Sequence, residues 1–225
     1  MQSILIATRC RDLYPLIYLS VDAPPVSPAI PSEPTLRAKE VRMRKVVAVE
    51  LVSLDGVVES PEEWAPPYSN HEMEEANAAG MAHSDALLLG RVTYEALAAF
   101  WPNQPGGTPM VDYINSVPKH VLSTSLEEPL EWQNSTLIKG NGGEEIAELK
   151  RQPGKDITIL GSATLVRSLL RDGLLDELRL MVHPIVLGRG KRLFDEGGGQ
   201  KALDLMDSRT FDTGVVYLTY QPPGS

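Results

Sequence analysis

Short apolar runs alternate with segments of helical period through the middle of the chain. The apolar runs are rich in β-branched residues and predict strands covered on both faces: Val46–Val52, Ala86–Leu89, Lys119–Leu122, Thr136–Ile138 and Ile157–Leu160. The segments of helical period predict helices over Asn70–His83, Val92–Phe100, Glu144–Arg151 and Ala163–Arg171. Strands that alternate with helices predict an α/β fold, with a mostly parallel sheet flanked by helices.

The last third of the chain has a different pattern. From Leu178 to His183, apolar positions alternate with other side chains, and Val215–Tyr220 follows the turn-prone sequence Asp212-Thr213-Gly214. We therefore expect antiparallel edge strands to finish the sheet, with a C-terminal antiparallel hairpin over residues 203–220. In that hairpin, Val216, Leu218 and Tyr220 would face the core, leaving Val215 and Tyr217 for a partner or a covering helix.

Composition and charge exclude several classes of protein. The 225 residues are 42% hydrophobic and 23% charged, typical of a globular chain rather than a disordered one. The formal net charge of −9 argues against a nucleic-acid partner attracted by bulk charge. Every apolar run is shorter than the roughly 18 residues that a membrane-spanning helix needs. The single cysteine, Cys10, allows no intrachain disulfide and no cysteine zinc cluster, so the default location is cytoplasmic.

The first 42 residues differ from the rest of the chain. Residues 22–34 contain five prolines in thirteen positions, which disfavours both helix and inner strand. Residues 1–42 carry five basic and four acidic side chains, against 16 and 26 in residues 43–225. We expect residues 1–42 to be a poorly ordered extension and Pro-rich linker, without a signal peptide, and residues 43–225 to form one domain.

Two predicted strand-to-helix turns have residues suited to a phosphate group. The first places Gly90 at a strand end, with Arg91 and Thr93 in the first turn of the next helix, where free amides, a hydroxyl and a guanidinium favour an anion. The second places Gly161 and Ser162 before a helix that begins at Ala163. Ordinary turns account for the same residues, with a surface arginine in the first and Ser162 as a helix N-cap in the second.

A third strand ends in hydroxyl residues, and none of these turns has the GxGxxG sequence. Ser123 and Thr124 follow the predicted strand at Lys119–Leu122 and are suited to a ribose or phosphate, although such clusters are also common in plain turns. The absence of GxGxxG argues against an ordinary Rossmann domain.

Taken together, these motifs resemble the dihydrofolate reductase superfamily. The resemblance covers about residues 43–221 and is carried, in order, by Ser53-Leu54-Asp55-Gly56, Gly90-Arg91-x-Thr93-Tyr94-Glu95, Ser123-Thr124, Gly161-Ser162-Ala163 and Pro184–Phe194. The last block narrows it to the C-terminal reductase domain of bifunctional riboflavin-biosynthesis proteins and its stand-alone relatives. No zinc deaminase motif precedes residue 43, so this chain would carry out reduction only.

This resemblance implies NADPH as cofactor. It implies that Arg91 faces the 2′-phosphate, with Gly90 beside it and Thr93 at the pyrophosphate, and that Ser123 and Thr124 line the adenine-ribose end. It further implies that Gly161, Ser162 and Ala163 receive the pyrophosphate on a helix N-terminus. The family often has a second glycine where Ser162 stands here, and many relatives have a basic residue where this chain has Thr124.

On the substrate side the resemblance brings Asp55 near the nicotinamide, where it would bind a substrate hydroxyl or donate a proton. Hydride delivery to a C=N or C=O carbon requires such an acid. An Asp-Gly turn is an equally good explanation of Asp55. The cationic loop Gly188–Arg192 predicts that Arg189 and Lys191 hold a substrate phosphate and do not contact the cofactor; a solvated loop is the alternative. The four histidines have no metal-ligand spacing, so no metal is expected.

Three functional hypotheses follow. The first is an NADPH-dependent reductase of a small heterocyclic or phosphoribosyl substrate, resembling 5-amino-6-(5-phosphoribosylamino)uracil reductase. The second is a non-catalytic nucleotide-binding dimer of the same fold, and the third is a dihydrofolate reductase-like enzyme with another substrate. In each case we expect a small-molecule ligand, no nucleic acid or membrane partner, and a homodimer, because the resembled family commonly pairs through sheet edges and C-terminal strands.

Overall fold

A computed structural model describes residues 43–140, 142–194 and 199–224. Our predictions for the N-terminal extension, including Cys10 and the Pro-rich segment, lie outside the described residues. The described chain has strands β1 Val46–Ser53, β2 Ser84–Gly90, β3 Lys119–Ser123, β4 Ser135–Lys139, β5 Asp156–Leu160, β6 Glu177–His183, β7 Asp204–Thr210 and β8 Val216–Gln221. Its α-helices are α1 Pro61–Trp64, α2 His71–Ala82, α3 Arg91–Phe100, α4 Pro109–Ser116, α5 Gly143–Arg151 and α6 Ala163–Arg171.

The strands form one mixed sheet in the order β4-β3-β2-β5-β1-β6-β8-β7. Strands β1 to β6 pair in parallel, whereas β8 is antiparallel to both β6 and β7. The predicted mostly parallel sheet with a C-terminal antiparallel hairpin is confirmed. One part of the prediction was wrong: β6 is an interior strand parallel to β1, and not an antiparallel edge strand. Its alternating sequence resembles that of an edge strand, but Arg179 pairs with Glu177, and this pairing allows the two charged groups to be mostly buried in an interior strand.

Helices cover both faces of the sheet. On one face, α5 and α6 pack through Ile146, Val166 and Leu169 against the inner strands. On the other face, α3 and α4 pack on β2 and β3, and Met73 and Ala76 of α2 pack near β6 and β8. Covering on both faces is the physical reason that β1, β2 and β5 are nearly continuous apolar runs.

The sequence analysis missed α4. Thr108 caps its first turn by accepting a hydrogen bond from the Val111 amide at 3.4 Å, and Pro109 occupies the first helical position. Val111 and Ile114 then bury one side of the helix. The Thr-Pro start was the available signal, but the helix spans only two turns and its periodicity is correspondingly weak.

The C-terminal hairpin shows which side of β8 the helices cover. Val215 and Tyr217 are buried under α2, so a covering helix, and not a partner, occupies that face. Val216 and Leu218 on the other side are half-buried. Strand β7 is the sheet edge, and all seven of its residues are exposed.

Candidate active site

A crevice opens at the carboxyl ends of β1 and β5. The connection from β1 through α2 leads to β2 on one side, and the connection from β5 through α6 leads to β6 on the other, so the two helices lie on opposite faces. In open α/β sheets this reversal is where ligands bind. The crevice widens into a cavity of about 1050 Å³, lined by parts of α2, α3, α6 and the central strands. A cavity of this size is large enough for a cofactor and a small substrate.

The first predicted turn lies in the cavity wall. Gly90, Arg91 and Thr93 all line the cavity at the start of α3. Gly90 has an ordinary backbone conformation, but a Cβ there would come 2.5 Å from the Ser162 Oγ and 3.3 Å from the Ser162 Cβ, so a larger residue would require the Ser162 side chain to shift. Arg91 is exposed, and its Nη1 lies 2.9 Å from the Glu95 carboxylate one turn along the helix. Glu95 therefore holds the guanidinium of this cavity-lining residue.

The second predicted turn lies directly opposite the first. Gly161 and Ser162, followed by Ala163, line the same cavity, and a Cβ on Gly161 would lie 3.6 Å from the Thr93 side chain. Both Gly161 and Ser162 are left-handed, with φ of 72° and 75°. Ser162 makes no side-chain capping bond, so the N-cap explanation does not account for its position. Such a conformation strains a residue with a Cβ, which explains why glycine is common there in the resembled family.

The cationic loop contributes Lys191 to this second turn. The Lys191 ammonium donates to the Thr164 hydroxyl at 2.9 Å, within the first turn of α6, and Lys191 lines the cavity. Its backbone amide donates to the Glu59 carboxylate at 3.1 Å. The sequence predicts Lys191 on the substrate side, away from the cofactor. Its ammonium lies instead beside the turn predicted to receive a pyrophosphate, because the loop after β6 folds back over α6. Arg189 is exposed and does not line the cavity.

Asp55 connects the turn after β1 to the loop after β6 through hydrogen bonds. Its carboxylate accepts hydrogen bonds from the Ser53 hydroxyl at 2.7 Å and from the amides of Leu187 and Gly188 at 3.0 and 2.9 Å. These donors, the Ser53 hydroxyl first, lower its pKa to about 2. Asp55 also lies outside the cavity lining. An anion held this firmly is a poor proton donor near neutral pH, so the arrangement favours the turn interpretation of Asp55.

The hydroxyl cluster after β3 also forms a turn. The Ser123 Oγ accepts from the amides of Ser125 and Leu126 at 3.1 and 3.0 Å, and Thr124 is exposed. Neither residue lines the cavity, although the neighbouring Leu122 does. The β3 hydroxyls are therefore separate from the two turns that meet at the crevice.

The cavity contains an acidic residue that the sequence analysis missed, Glu50. It lies in the middle of β1, is only 2% exposed, and lines the cavity. Its Oε1 is buried without a hydrogen-bond partner among the described residues, and burial raises its pKa to about 8. The signal in the sequence was an acidic residue inside an otherwise apolar strand run, Val46–Val52.

The geometry fits a bound dinucleotide. Two helix N-termini come together at the cavity lining, where Gly90 lies against the Ser162 side chain, and Lys191 and Arg91 lie beside these turns. This is the donor set that a pyrophosphate and a further phosphate require. Within the described ranges, no group of three His, Cys, Asp or Glu side chains is arranged to hold a metal ion.

The described chain has a fold of the dihydrofolate reductase-like class. Dihydrofolate reductase from Enterococcus faecalis, in a structure complexed with NADP(H), aligns with a TM-score of 0.55 at 16% identity, covering 80% of this chain and 96% of that one. Within this class, the chain belongs to the RibD C-terminal domain family, whose model matches residues 44–217.

Two further relatives agree with this assignment. The uncharacterized protein YyaP of Bacillus subtilis is 31% identical over 186 residues, covering 80% of this chain and 96% of that protein. A putative riboflavin biosynthesis protein from Shewanella sp. PV-4 aligns with a TM-score of 0.65 at 24% identity, covering 79% of this chain and 98% of that one. In the described part of the chain, no helix is long and apolar enough to cross a membrane.

Proposed function

We propose that this chain is an NADPH-dependent reductase that acts on a small heterocyclic substrate, of the kind reduced by 5-amino-6-(5-phosphoribosylamino)uracil reductase. The observation that carries the proposal is the contact between the turns at Gly90 and Ser162 across one large cavity. When bound, NADPH would supply a hydride to an electrophilic C=N or C=O carbon. Membership of the RibD C-terminal domain family supports this assignment.

The residues of the two turns have separate roles in this proposal. The amides from Gly161 to Ala163 bind the pyrophosphate, together with the Thr93 hydroxyl and the Lys191 ammonium. Arg91 binds the 2′-phosphate, for which it must leave Glu95, an exchange of one exposed ion pair for a charge-assisted pair with phosphate. Gly90 allows the backbone to approach the ligand.

Four predicted site residues do not line the cavity: Ser123, Thr124, Arg189 and Asp55. Ser123 and Thr124 stay candidates for the adenine-ribose end only if their turn opens when the cofactor binds. Arg189, exposed on the loop after β6, stays the candidate for a substrate phosphate. Asp55 acts by holding that loop through the Leu187 and Gly188 amides. A cytoplasmic location is part of the same proposal and agrees with the single cysteine.

The test compares cofactor binding by the full chain and by two variants of one loop. NADPH should raise the melting temperature of the wild type more than NADH does. Lys191→Ala should weaken both cofactors by about 1.5 to 3 kcal/mol, because the pyrophosphate is common to both. Arg189→Ala is the matched control, and its cofactor affinities should equal those of the wild type.

Three results would change the proposal. If neither cofactor binds the wild type, the reductase assignment is wrong. If NADPH binds but no heterocyclic carbonyl or imine compound causes its oxidation, the non-catalytic nucleotide-binding hypothesis is favoured. Should Lys191→Ala leave both cofactors unaffected and weaken a phosphorylated substrate instead, the original substrate-side assignment of Lys191 would be correct.

A further inference from the structure

Glu50 lies where the sheet opens. Strand β1 pairs with β5 only as far as Val49, which is opposite Leu160, the last residue of β5. On its other side β1 continues beside β6, with Glu50 opposite Leu180. Glu50 is therefore the first residue of β1 without a β5 neighbour, and its side chain lines the cavity at that gap.

The cationic side chains that line the cavity bond to groups other than Glu50. Arg91 is bonded to Glu95, the Arg179 guanidinium lies 2.6 Å from the Glu177 carboxylate, and the Lys191 ammonium is bonded to Thr164. Among the described residues, no ion pair or hydrogen bond joins any of them to Glu50, and its pKa is raised by burial alone. Glu50 is thus a neutral carboxylic acid near neutral pH and not half of a salt bridge.

The fold gives no reason for an acid at this position. A buried oxygen without a partner destabilises the native state, and an apolar residue would suit the middle of β1 better. The missing hydrogen bonds of the Glu50 carboxyl would be supplied by a ligand in the cavity. Glu50 is also the only buried acid that lines the cavity among the described residues, because Glu59 and Glu62 are exposed.

Helix α2 does not supply a competing carboxylate. The Glu72 carboxylate lies outside the cavity, where it accepts from the Asp212 amide at 2.7 Å and from the Asn70 side chain at 2.9 Å. Glu74 and Glu75 are exposed beside His71. Among the described acids that line the cavity, Glu50 on β1 is therefore the buried one, and Glu59 and Glu62 are exposed.

We propose that Glu50 recognises the substrate as a neutral carboxylic acid, through a pair of hydrogen bonds to a cyclic amide or imide edge. Its O–H donates to the ring carbonyl, and its C=O accepts from the adjacent ring N–H. This arrangement follows from the one donor and one acceptor that a protonated carboxyl group presents side by side. The inference rests on the proposed function and identifies the amide or imide edge as the part of the substrate that Glu50 binds.

The same chemistry excludes a different ligand class. An aminopyrimidine edge protonated on the ring nitrogen, as in the 2,4-diaminopyrimidinium cation, presents two donors side by side and so matches an ionised carboxylate, which has acceptors only. The unprotonated ring presents one donor and one acceptor and does not distinguish the two states of Glu50. Binding the protonated ring would require Glu50 to lose its proton in a site that supplies no free cation to it. The site should therefore prefer uracil to the protonated form of 2,4-diaminopyrimidine.

The experiment measures both probes against the full chain without cofactor, near neutral pH, by ligand-observed NMR titration. Glu50→Gln keeps one donor and one acceptor in the same shape, and uracil affinity should stay within about threefold of the wild type. Glu50→Leu removes both, and uracil affinity should fall about tenfold or more. Glu63→Gln, an exposed carboxylate on α1 outside the cavity lining, is the control and should bind uracil like the wild type.

Several outcomes would overturn the inference. Uracil binding by Glu50→Leu at wild-type strength would make Glu50 a structural residue. A preference of the wild type for the protonated form of 2,4-diaminopyrimidine, with equal losses in the Gln and Leu variants, would mean that Glu50 binds as an anion. No uracil binding by the wild type would also contradict it. Should Glu50→Leu fail to fold, Glu50→Gln and the comparison of the two probes still decide the question.

The failure of this inference can be told apart from failure of the proposed function. NADPH binding is measured on the same samples of wild-type protein. Uracil binding that depends on Glu50 together with absent NADPH binding would contradict the reductase assignment alone. The reverse pattern would leave the reductase assignment standing and remove Glu50 from substrate recognition.

Discussion

At the residue scale, two acids close together in sequence have opposite acid–base properties. Asp55, in the turn after β1, accepts hydrogen bonds from a hydroxyl and two amides, and its pKa falls to about 2. Glu50, inside β1, is buried without a partner, and its pKa rises to about 8. The difference arises entirely from the surroundings of the two carboxyl groups. Asp55 is thus suited to hold a loop, and Glu50 is suited to act as a neutral acid.

The raised pKa of Glu50 predicts a pH dependence of stability. Because its folded pKa of about 8 exceeds its ordinary value of 4.5, the native state binds this proton more tightly than the unfolded state does. The stability it contributes is present below pH 4.5 and is lost as the pH rises through 8. Urea unfolding across this range should show the wild type losing stability relative to Glu50→Gln as the pH rises. Parallel curves for the two proteins would contradict the neutral state.

Arg91 is expected to discriminate between the two cofactors. The 2′-phosphate is absent from NADH, so Arg91→Ala should weaken NADPH by about 1.5 to 3 kcal/mol and change NADH little. Isothermal titration calorimetry with both cofactors measures the difference. Arg151→Ala is the control, because Arg151 forms a similar exposed pair, with Glu148, on α5 outside the cavity. Equal losses for both cofactors would exclude Arg91 from the 2′-phosphate site.

At the scale of elements, the site depends on two strand-to-helix turns that touch. Helix α3 begins after Gly90, and α6 begins after two left-handed residues, Gly161 and Ser162. The left-handed pair directs the start of α6 towards α3 and brings the Ser162 side chain against Gly90. The strain at Ser162 is thus located where the proposed ligand binds.

The contact between these turns can be measured as a coupling energy. Gly90→Ala should destabilise the fold by about 1 to 3 kcal/mol, because the added methyl overlaps Ser162. In a Ser162→Gly background most of that loss should disappear, since the obstructing side chain is gone. Gly80→Ala in α2 is the control: its Cβ would meet only Arg179, at 3.8 Å, and should stabilise the helix slightly. Additive losses in urea unfolding would show that the turns do not touch.

At the scale of the whole molecule, the sheet ends in an uncovered strand. Every residue of β7 is exposed, and Leu205 and Met206 are more than half exposed. An edge with free backbone groups and apolar side chains invites pairing with another chain. Pairing of two chains through β7 would give the homodimer that the resemblance implies. A two-fold pair is the commonest closed assembly.

Light scattering at micromolar concentration should give twice the mass of the single chain. Leu205→Lys combined with Met206→Lys should shift the mass to that of the monomer, because two charges would be buried at the paired edge. Phe100→Lys is the control, since Phe100 is equally exposed but lies on α3. A monomeric wild type would refute the dimer, and a dimer unaffected by the β7 charges would locate the interface elsewhere.

Local patterns in the sequence determined most of the elements. Burial on both faces requires a continuous apolar run, so β1, β2 and β5 could be recognised within a residue or two of their ends. The turn glycines could be recognised for a similar reason, because the space and backbone conformation that they satisfy are local. The two turns of the candidate site, with Gly90, Thr93 and Gly161, could therefore be located from the sequence, and their binding of a cofactor stays a prediction.

Tertiary structure decided what depends on neighbours that are distant in sequence. The alternation in β6 is the same for an edge and an interior strand, and only pairing with β1 on one side and β8 on the other makes it interior. Lys191 reaches Thr164 because the loop after β6 folds over α6. Glu50 is an unpartnered acid only because β5 stops at Leu160 and the nearby cations bond elsewhere. The properties of a side chain depend on which strands and charges surround it, and that information is not carried by the local pattern.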